Sequence, residues 1–161
     1  MVRVLLVANK TLGGPAISEF VKSRMAEEEC RFTLLVPATP HRHDKPPGWV
    51  QRAAGVASIE GGAIGMLDDR ELSASTEDDY AHARSRLEYG LQMLKSWGAV
   101  VDGEVGDPDP AKAIKTVLTR EHFDEVALST LPEGVSRWLR LDIPHQVERK
   151  FHIPVTVIKA Q

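Results

Sequence analysis

Short apolar runs alternate with amphipathic segments along most of the chain. The five apolar runs predict buried strands, and they cover Val2–Ala8, Phe32–Val36, Val100–Val105, Val126–Ser129 and Ile153–Lys159. The intervening segments repeat apolar residues three or four positions apart, which is typical of helices packed on a sheet. This alternation predicts an α/β fold, a doubly wound five-stranded parallel sheet with helices on both faces. Right-handed crossovers favour the strand order 3-2-1-4-5, with strands 1 and 4 at the centre.

Capping residues mark the helix boundaries. The polar run Ser75–Asp79 predicts the start of the second helix, and Gly98 predicts its end. Asp109 followed by Pro110 predicts the N-cap and the first residue of the third helix. A structural role in the turn and the helix cap therefore explains Asp107 and Asp109 better than a catalytic role as a pair of carboxylates.

Residues 38–77 carry no periodic pattern, because proline and glycine recur throughout them. Structureless loops longer than about 15 residues are uncommon in compact domains. We expect a single domain over 1–161 in which 38–77 forms a flap, a partly disordered loop or a short element near Ile59–Leu67. His41 and His43, beside Asp44, could hold a metal only if this flap folded over them. Alternating histidines in a proline-rich loop are more often exposed to solvent, so we predict no metal site.

Composition narrows the class of protein. The chain has 161 residues, of which 42% are hydrophobic and 27% charged, and its formal net charge is -3. This acidic balance argues against nucleic acid as a main partner, because phosphate binding by bulk electrostatics needs a basic surplus. The single cysteine, Cys30, excludes an intrachain disulfide and is expected to be a small buried hydrophobe. No apolar run approaches the roughly 18 residues of a membrane span, so we expect a cytoplasmic protein.

Polar residues follow strands 1 and 4, the predicted central neighbours. In doubly wound sheets, ligands bind beyond the carboxyl ends of the strands where the strand order reverses. Hydroxyl groups, glycine backbone and guanidinium groups at such an edge suit an anion. The predicted ligand-binding residues are Asn9, Thr11, Gly13, Gly106, Ser129, Thr130, Gly134, Ser136, Arg137 and Arg140. The alternative for the two arginines is a surface position on either side of Trp138, which would pack under the loop.

Three stretches resemble the universal stress protein family. They are Gly106-Asp107-Pro108 before a helix, Phe123–Thr130, and Ile153–Ile158 after a loop and a short helix. The likeness spans both halves of the chain in the order and spacing of the family, and it covers the 38–77 segment poorly. The resemblance implies an adenine-nucleotide-binding α/β fold that is commonly dimeric, and some members of the family bind ATP.

The glycine-rich signature of the ATP-binding members is absent. The resemblance places its positions at Ser129, Pro132, Asp142 and Ile143, and none of the four matches Gly-x2-Gly-x9-Gly-Ser/Thr. Pro132 has no backbone N–H to donate, and Asp142 would put a carboxylate at a helix N-terminus that otherwise attracts phosphate. An acidic residue that ends strand 1 in many members is also missing. The sequence therefore establishes no cofactor, and the candidate is ATP or another adenine nucleotide.

Three hypotheses on function remain. The first is a non-catalytic, cytoplasmic, universal-stress-like protein that binds a nucleotide or small phosphate-type anion weakly, or has lost binding. The second is an adenine-nucleotide α-hydrolase-like enzyme using the flap as a lid, although Gly13-Gly14 lacks the serines and aspartate of related pyrophosphatases. The third is a purely dimeric interaction module. The resemblance suggests a homodimer, and the exposed edge of Val155–Lys159 needs cover, so we predict self-association there.

Overall fold

The computed structural model describes residues 1–9, 11–12, 14–38, 69–130 and 137–159, and gives only the backbone of 69–76, 137 and 140. Contacts divide the chain into two compact units, residues 1–39 with 82–161 and residues 40–81. The elements in chain order are β1 (Val2–Val7), α1 (Pro15–Glu27), β2 (Cys30–Pro37), α2 (Asp69–Ser96), β3 (Val100–Gly106), α3 (Pro110–Arg120), β4 (Glu125–Thr130), α4 (Arg137–Arg140), α5 (Ile143–Phe151) and β5 (Val155–Lys159). In the unit of residues 40–81, the described part is the first section of α2.

The sheet has five strands in the order β3-β2-β1-β4-β5, and every neighbouring pair is parallel. This confirms the predicted topology. The central strand β1 has no exposed surface from Val4 to Val7, as a strand covered on both faces requires. The edge strand β3 is only partly buried, which matches the weaker alternation of its sequence.

One face of the sheet is covered by α3 and α5. Ile143 and Val147 of α5 are buried in a hydrophobic cluster and Phe151 packs against the same cluster, so the apolar residues spaced four apart form the inner stripe of this helix. Trp138 of α4 packs against the same cluster. The buried members of this cluster are Leu5, Val7, Leu35, Ala113, Ile114, Val117, Leu118, Phe123, Val126, Leu128, Ile143 and Val147.

Two helix ends follow the capping signals in the sequence. Gly98 adopts a left-handed φ of 88°, and its N–H and that of Ala99 donate to carbonyls of the last turn of α2. This is a Schellman end, for which glycine is the preferred residue. At the start of α3, Asp109 Oδ1 accepts from the backbone N–H of Ala111 at 3.1 Å. Asp107 Oδ1 in turn accepts from the N–H of Asp109 at 2.9 Å, so both carboxylates serve the turn and cap.

The predicted start of the second helix was wrong. The helix α2 begins at Asp69, ahead of the capping run at Ser75, and so covers the last part of the predicted 38–77 flap. No proline or glycine lies between 69 and 75, and serine and threonine are tolerated inside helices. A capping pattern can therefore lie within a helix when nothing before it breaks the chain. His41, His43 and Asp44 lie outside the described residues.

The helix α2 approaches the sheet closely at Gly103 of β3. A β-carbon there would lie 2.6 Å from the backbone carbonyl oxygen of Leu34 and 2.7 Å from Leu87 Cδ1. Only glycine leaves room for both contacts. None of the helices in the described ranges is long and apolar enough to cross a membrane.

Candidate functional site

The carboxyl ends of the three central strands meet at one edge of the sheet. Val7 of β1 is paired with Leu35 of β2 and with Leu128 of β4, so the residues after these positions lie side by side. Four of the predicted site residues fall here and are almost fully buried: Asn9 is 6% exposed, Thr11 8%, Ser129 3% and Thr130 2%. The prediction that the β1 and β4 ends share one edge is confirmed by a direct contact between them.

That contact is a pair of hydroxyl groups. Thr11 Oγ1 lies 2.6 Å from Ser129 Oγ and 3.3 Å from the Ser129 carbonyl oxygen. When Thr11 donates to the carbonyl, Ser129 donates to Thr11, and both hydroxyl protons are used. When Thr11 donates to Ser129 Oγ instead, the Ser129 proton is released for a ligand. The pair thus joins two loops and can still supply one donor to an anion.

Thr130 carries a buried hydroxyl without a partner among the described residues. Successive strand side chains point to opposite faces, so Thr130 shares the face of Leu128, on which α3 and α5 pack. Leaving a buried hydroxyl unsatisfied costs roughly 1–3 kcal/mol, and such groups call for an explanation. The Thr130 hydroxyl oxygen has almost no accessible surface, so protein atoms enclose the hydroxyl on the side of α3 and α5, and it is not offered to a ligand at the edge.

Asn9 is fixed by two neighbours on either side of its carboxamide. Its Nδ2 donates to the carbonyl oxygen of Pro37 at 2.8 Å, and the guanidinium of Arg86 donates to its Oδ1. The first contact ties the β1 end to the β2 end. The second brings a cation from α2 to the carboxyl edge, in the unit that contains the sheet.

Arg86 was missed by the sequence reasoning, which assigned α2 only an apolar stripe. The inner face of the helix carries Ala83 and Gly90, three residues before and four residues after Arg86, and both are buried. Residues at these spacings lie on the same face of a helix. An arginine flanked at i−3 and i+4 by small residues has room to lie inward, and that spacing is the signal that could have identified it.

Gly106 has a packing role in this structure. A β-carbon there would lie 2.7 Å from Ala113 Cβ and 2.8 Å from Leu35 Cδ1, and its carbonyl accepts from the N–H of Ala38 at 3.0 Å. Close contact of α3 with β3 is therefore a sufficient reason for glycine. Its assignment to ligand binding stays a prediction.

The remaining predicted site residues belong to two loops and α4. Arg137 and Arg140 are the first and last residues of α4, and the structure describes their backbone but not their side chains. Gly13, Gly134 and Ser136 lie outside the described residues altogether. The predictions for these five residues stay predictions.

Asp142 lies at the N-cap of α5, as predicted, but it does not cap the helix. Its backbone is left-handed, with φ 55° and ψ 36°, and its side chain accepts no hydrogen bond from a backbone N–H of the first turn. The carboxylate contacts His145 Nδ1 at 2.6 Å and Arg149 Nη2 at 3.8 Å. The left-handed conformation is the one glycine adopts most readily, so the backbone at this signature position is glycine-like although the residue is not.

The thiol of Cys30, at the start of β2, is held in a non-reactive state. Burial and the charge of Glu28 raise the pKa of the Cys30 thiol, whose Sγ lies 3.6 Å from the carbonyl oxygen of Arg24. The thiol is buried and protonated, as expected of a small hydrophobe. Within the described ranges, no cluster of three or more His, Cys, Asp or Glu side chains could hold a metal ion.

Comparison with known proteins identifies the fold. No family model and no curated protein matches the chain. Solved structures do: a universal stress protein from Archaeoglobus fulgidus has a TM-score of 0.57 at 10% identity, over 99% of this chain and 94% of that one. A universal stress protein family protein from Arabidopsis thaliana with AMP bound has a TM-score of 0.53 at 13% identity, over 100% and 93%. A universal stress protein in complex with cAMP has a TM-score of 0.55 at 14% identity, over 99% and 98%.

Proposed function

We propose that this chain, which has the fold of the universal stress proteins, binds an adenine nucleotide or a related small phosphate-bearing molecule and does not catalyse its turnover. The ligand would occupy the carboxyl edge of β1 and β4. The observation that carries the proposal is the buried polar group at this edge, in which the hydroxyl pair of Thr11 and Ser129 can supply one donor to an anion. That two structural neighbours hold AMP and cAMP supports an adenine nucleotide.

The chemistry of the edge favours binding over catalysis. Its described side chains are an amide, three hydroxyls and a guanidinium, contributed by Asn9, Thr11, Ser129, Thr130 and Arg86. None of these groups is a carboxylate, an imidazole or a thiol, so they can hold an anion but make poor general acids and bases. We place the protein in the cytoplasm and in a stress-related role on the strength of the fold resemblance.

Mass spectrometry of small molecules released by denaturing the purified protein tests this function. We expect an adenine nucleotide, and titration calorimetry should show saturable binding of AMP or cAMP with no turnover of ATP over hours. ATP should bind no tighter than micromolar, because Pro132 removes a donor from the loop after β4. Absence of any released or titrated nucleotide would refute the binding proposal, and ATP turnover would favour the enzyme alternative.

We further propose a homodimer formed through β5. This strand pairs only with β4 in the described sheet, and Val155, Thr156 and Val157 along it are half-buried. The opposite edge, β3, carries exposed Asp102, which suits an edge that stays unpaired. Strands at an open edge pair readily with another copy when their side chains are uncharged.

Sedimentation at micromolar concentration tests the dimer. Val157→Lys places a charge on the proposed interface and should give a monomer, whereas Val100→Lys on the other edge should leave the dimer intact. Val100 is 56% exposed, so the control alters charge without disturbing the core. A wild-type monomer, or equal effects of both changes, would contradict an interface at β5.

A further inference from the structure

Arg86 differs from the other half-buried arginines whose side chains the structure describes. Arg3 contacts Glu121 at 3.1 Å and Arg24 contacts Glu125 at 2.7 Å, so each has a carboxylate partner. The guanidinium of Arg86 donates instead to the neutral carboxamide of Asn9. In the described ranges, Arg86 is thus a half-buried cation whose recorded partner carries no charge.

A guanidinium in this position retains binding capacity. It has five N–H donors, and one of its terminal nitrogens is used by Asn9. Partial removal from water weakens its hydration, which makes an anionic partner more valuable than it would be at a fully exposed site. Arginine can also hold a phosphate or carboxylate through two parallel hydrogen bonds.

Asn9 fixes the direction of this cation. Since Nδ2 donates to the Pro37 carbonyl, Oδ1 is left to accept from Arg86, and the amide cannot flip without losing both bonds. The β2 end, the β1 end and α2 are joined in this way, so Arg86 is held at the carboxyl edge rather than extended into solvent. Asn9 is therefore a positioning residue for Arg86.

We propose that Arg86 binds the anionic group of the ligand and makes the edge selective for charged ligands over neutral ones. The ligand class is a small molecule bearing a phosphate or carboxylate, and a neutral nucleoside should be bound poorly. This inference rests on the proposed binding function and assigns its charge selectivity to a residue outside the two loops that the sequence singled out. Arg137 and Arg140 of α4 are not needed for it.

Calorimetry with AMP, adenosine and inorganic pyrophosphate tests the role of Arg86. Arg86→Gln should weaken AMP and pyrophosphate at least tenfold at low salt and change adenosine less than twofold. Arg86→Lys keeps the charge but loses bidentate geometry, so it should fall between wild type and Arg86→Gln. Arg84→Gln is the matched control, because Arg84 is exposed on the same helix, and it should bind all three probes like wild type. Thermal melts of each variant establish that it is folded.

Asn9→Asp gives a second, independent readout. The new carboxylate would pair with Arg86 and compete with the ligand, so pyrophosphate, which has no adenine that could contact it, should bind more weakly than to wild type. Unchanged or tighter pyrophosphate binding by Asn9→Asp would overturn the inference, as would AMP binding by Arg86→Gln equal to that of the Arg84→Gln control.

The outcomes separate this inference from the proposed function. AMP binding that is independent of Arg86 leaves the nucleotide function standing and refutes the role of Arg86. Pyrophosphate binding that depends on Arg86, without any nucleotide binding, supports Arg86 and refutes the nucleotide function. A wild-type protein that binds none of the probes refutes both.

Discussion

Replacing Asp142 should strengthen the binding of AMP. The residue precedes α5, and its carboxylate caps no N–H group of that helix. It nevertheless puts a negative charge where the helix dipole would otherwise favour an anion. Asp142→Asn removes the charge and keeps a side chain that tolerates the left-handed backbone, whereas Asp142→Gly removes both charge and side chain.

The expected gain is small because the carboxylate is partly screened. Two unit charges about 8 Å apart repel by about 0.5–2 kcal/mol when the effective dielectric constant lies between that of water and about 20. The Asp142 side chain is 52% exposed and lies beside His145 and Arg149, so the lower part of this range applies. A change of about 0.5–1 kcal/mol corresponds to roughly two- to fivefold tighter binding.

Stability should change little in either variant. The contacts of Asp142 with His145 and Arg149 are between exposed side chains, and such pairs contribute at most about 1 kcal/mol. Glycine relieves the left-handed strain at φ 55°, and its extra freedom in the unfolded chain offsets part of that gain. Both variants should therefore unfold within about 1 kcal/mol of wild type in urea.

Titration calorimetry with AMP at low salt and at 1 M salt is the assay. Glu148→Gln makes the same charge change on an exposed residue near the other end of α5, and it should shift the affinity less than 1.5-fold. The gain at Asp142 should fade at high salt, because the Debye length falls to about 3 Å. Equal affinities for the Asp142 and Glu148 variants would refute the repulsion. A gain in Asp142→Gly alone would assign the effect to the backbone.

Three further predictions concern the free energy of unfolding. Gly103→Ala should cost about 1–3 kcal/mol in urea, because its β-carbon would lie 2.6 Å from a backbone oxygen, and a change below 0.5 kcal/mol would contradict this. Glu125→Gln should cost about 1.5–3 kcal/mol, because the buried carboxylate accepts from Arg24 and Thr156 at 2.7 Å each; an unchanged melting temperature would count against it. The backbone N–H of Arg3 in β1 donates to the Asp124 carboxylate and lowers its pKa. The ionised carboxylate therefore stabilises the fold fully above the pKa it has in the unfolded chain. This stabilisation is lost as the pH falls through the pKa it has in the folded protein. In Asp124→Asn the free energy of unfolding should fall less steeply with decreasing pH below about pH 4, and a pH dependence equal to that of wild type would refute this.

The sheet could be predicted from the sequence because its signals are local and redundant. Because the run of β1 is apolar at successive positions, both faces of this strand must be covered. The capping at Gly98 and Asp109 uses backbone groups within a few residues. The start of α2 was misplaced because a polar capping run inside a helix looks the same as one that begins it. Residues 39–68 carry no periodic signal and lie outside the described part of the chain.

The site could be predicted only in part, because its contacts join residues that are distant in sequence. The switch-point rule located Asn9, Thr11, Ser129 and Thr130 at one edge, since strand order alone determines which strand ends meet. The position of Arg86 depends on the rotation of α2 and on the small residues beside it. A helical pattern defined by apolar residues alone does not predict a cation on the same face.

The polar groups of the edge divide into those that hold the fold and those that our proposal assigns to a ligand. Gly106 packs against α3, and Asn9 joins the ends of β1 and β2. Ser129 and Arg86 are assigned to the ligand, the first as a hydroxyl that can release its proton and the second as a cation on a neutral amide. In the proposed site an anion would be bound by side chains instead of a glycine-rich backbone. Its affinity should therefore depend on one guanidinium and fall steeply with salt, whereas a backbone cradle would be less sensitive to any single substitution.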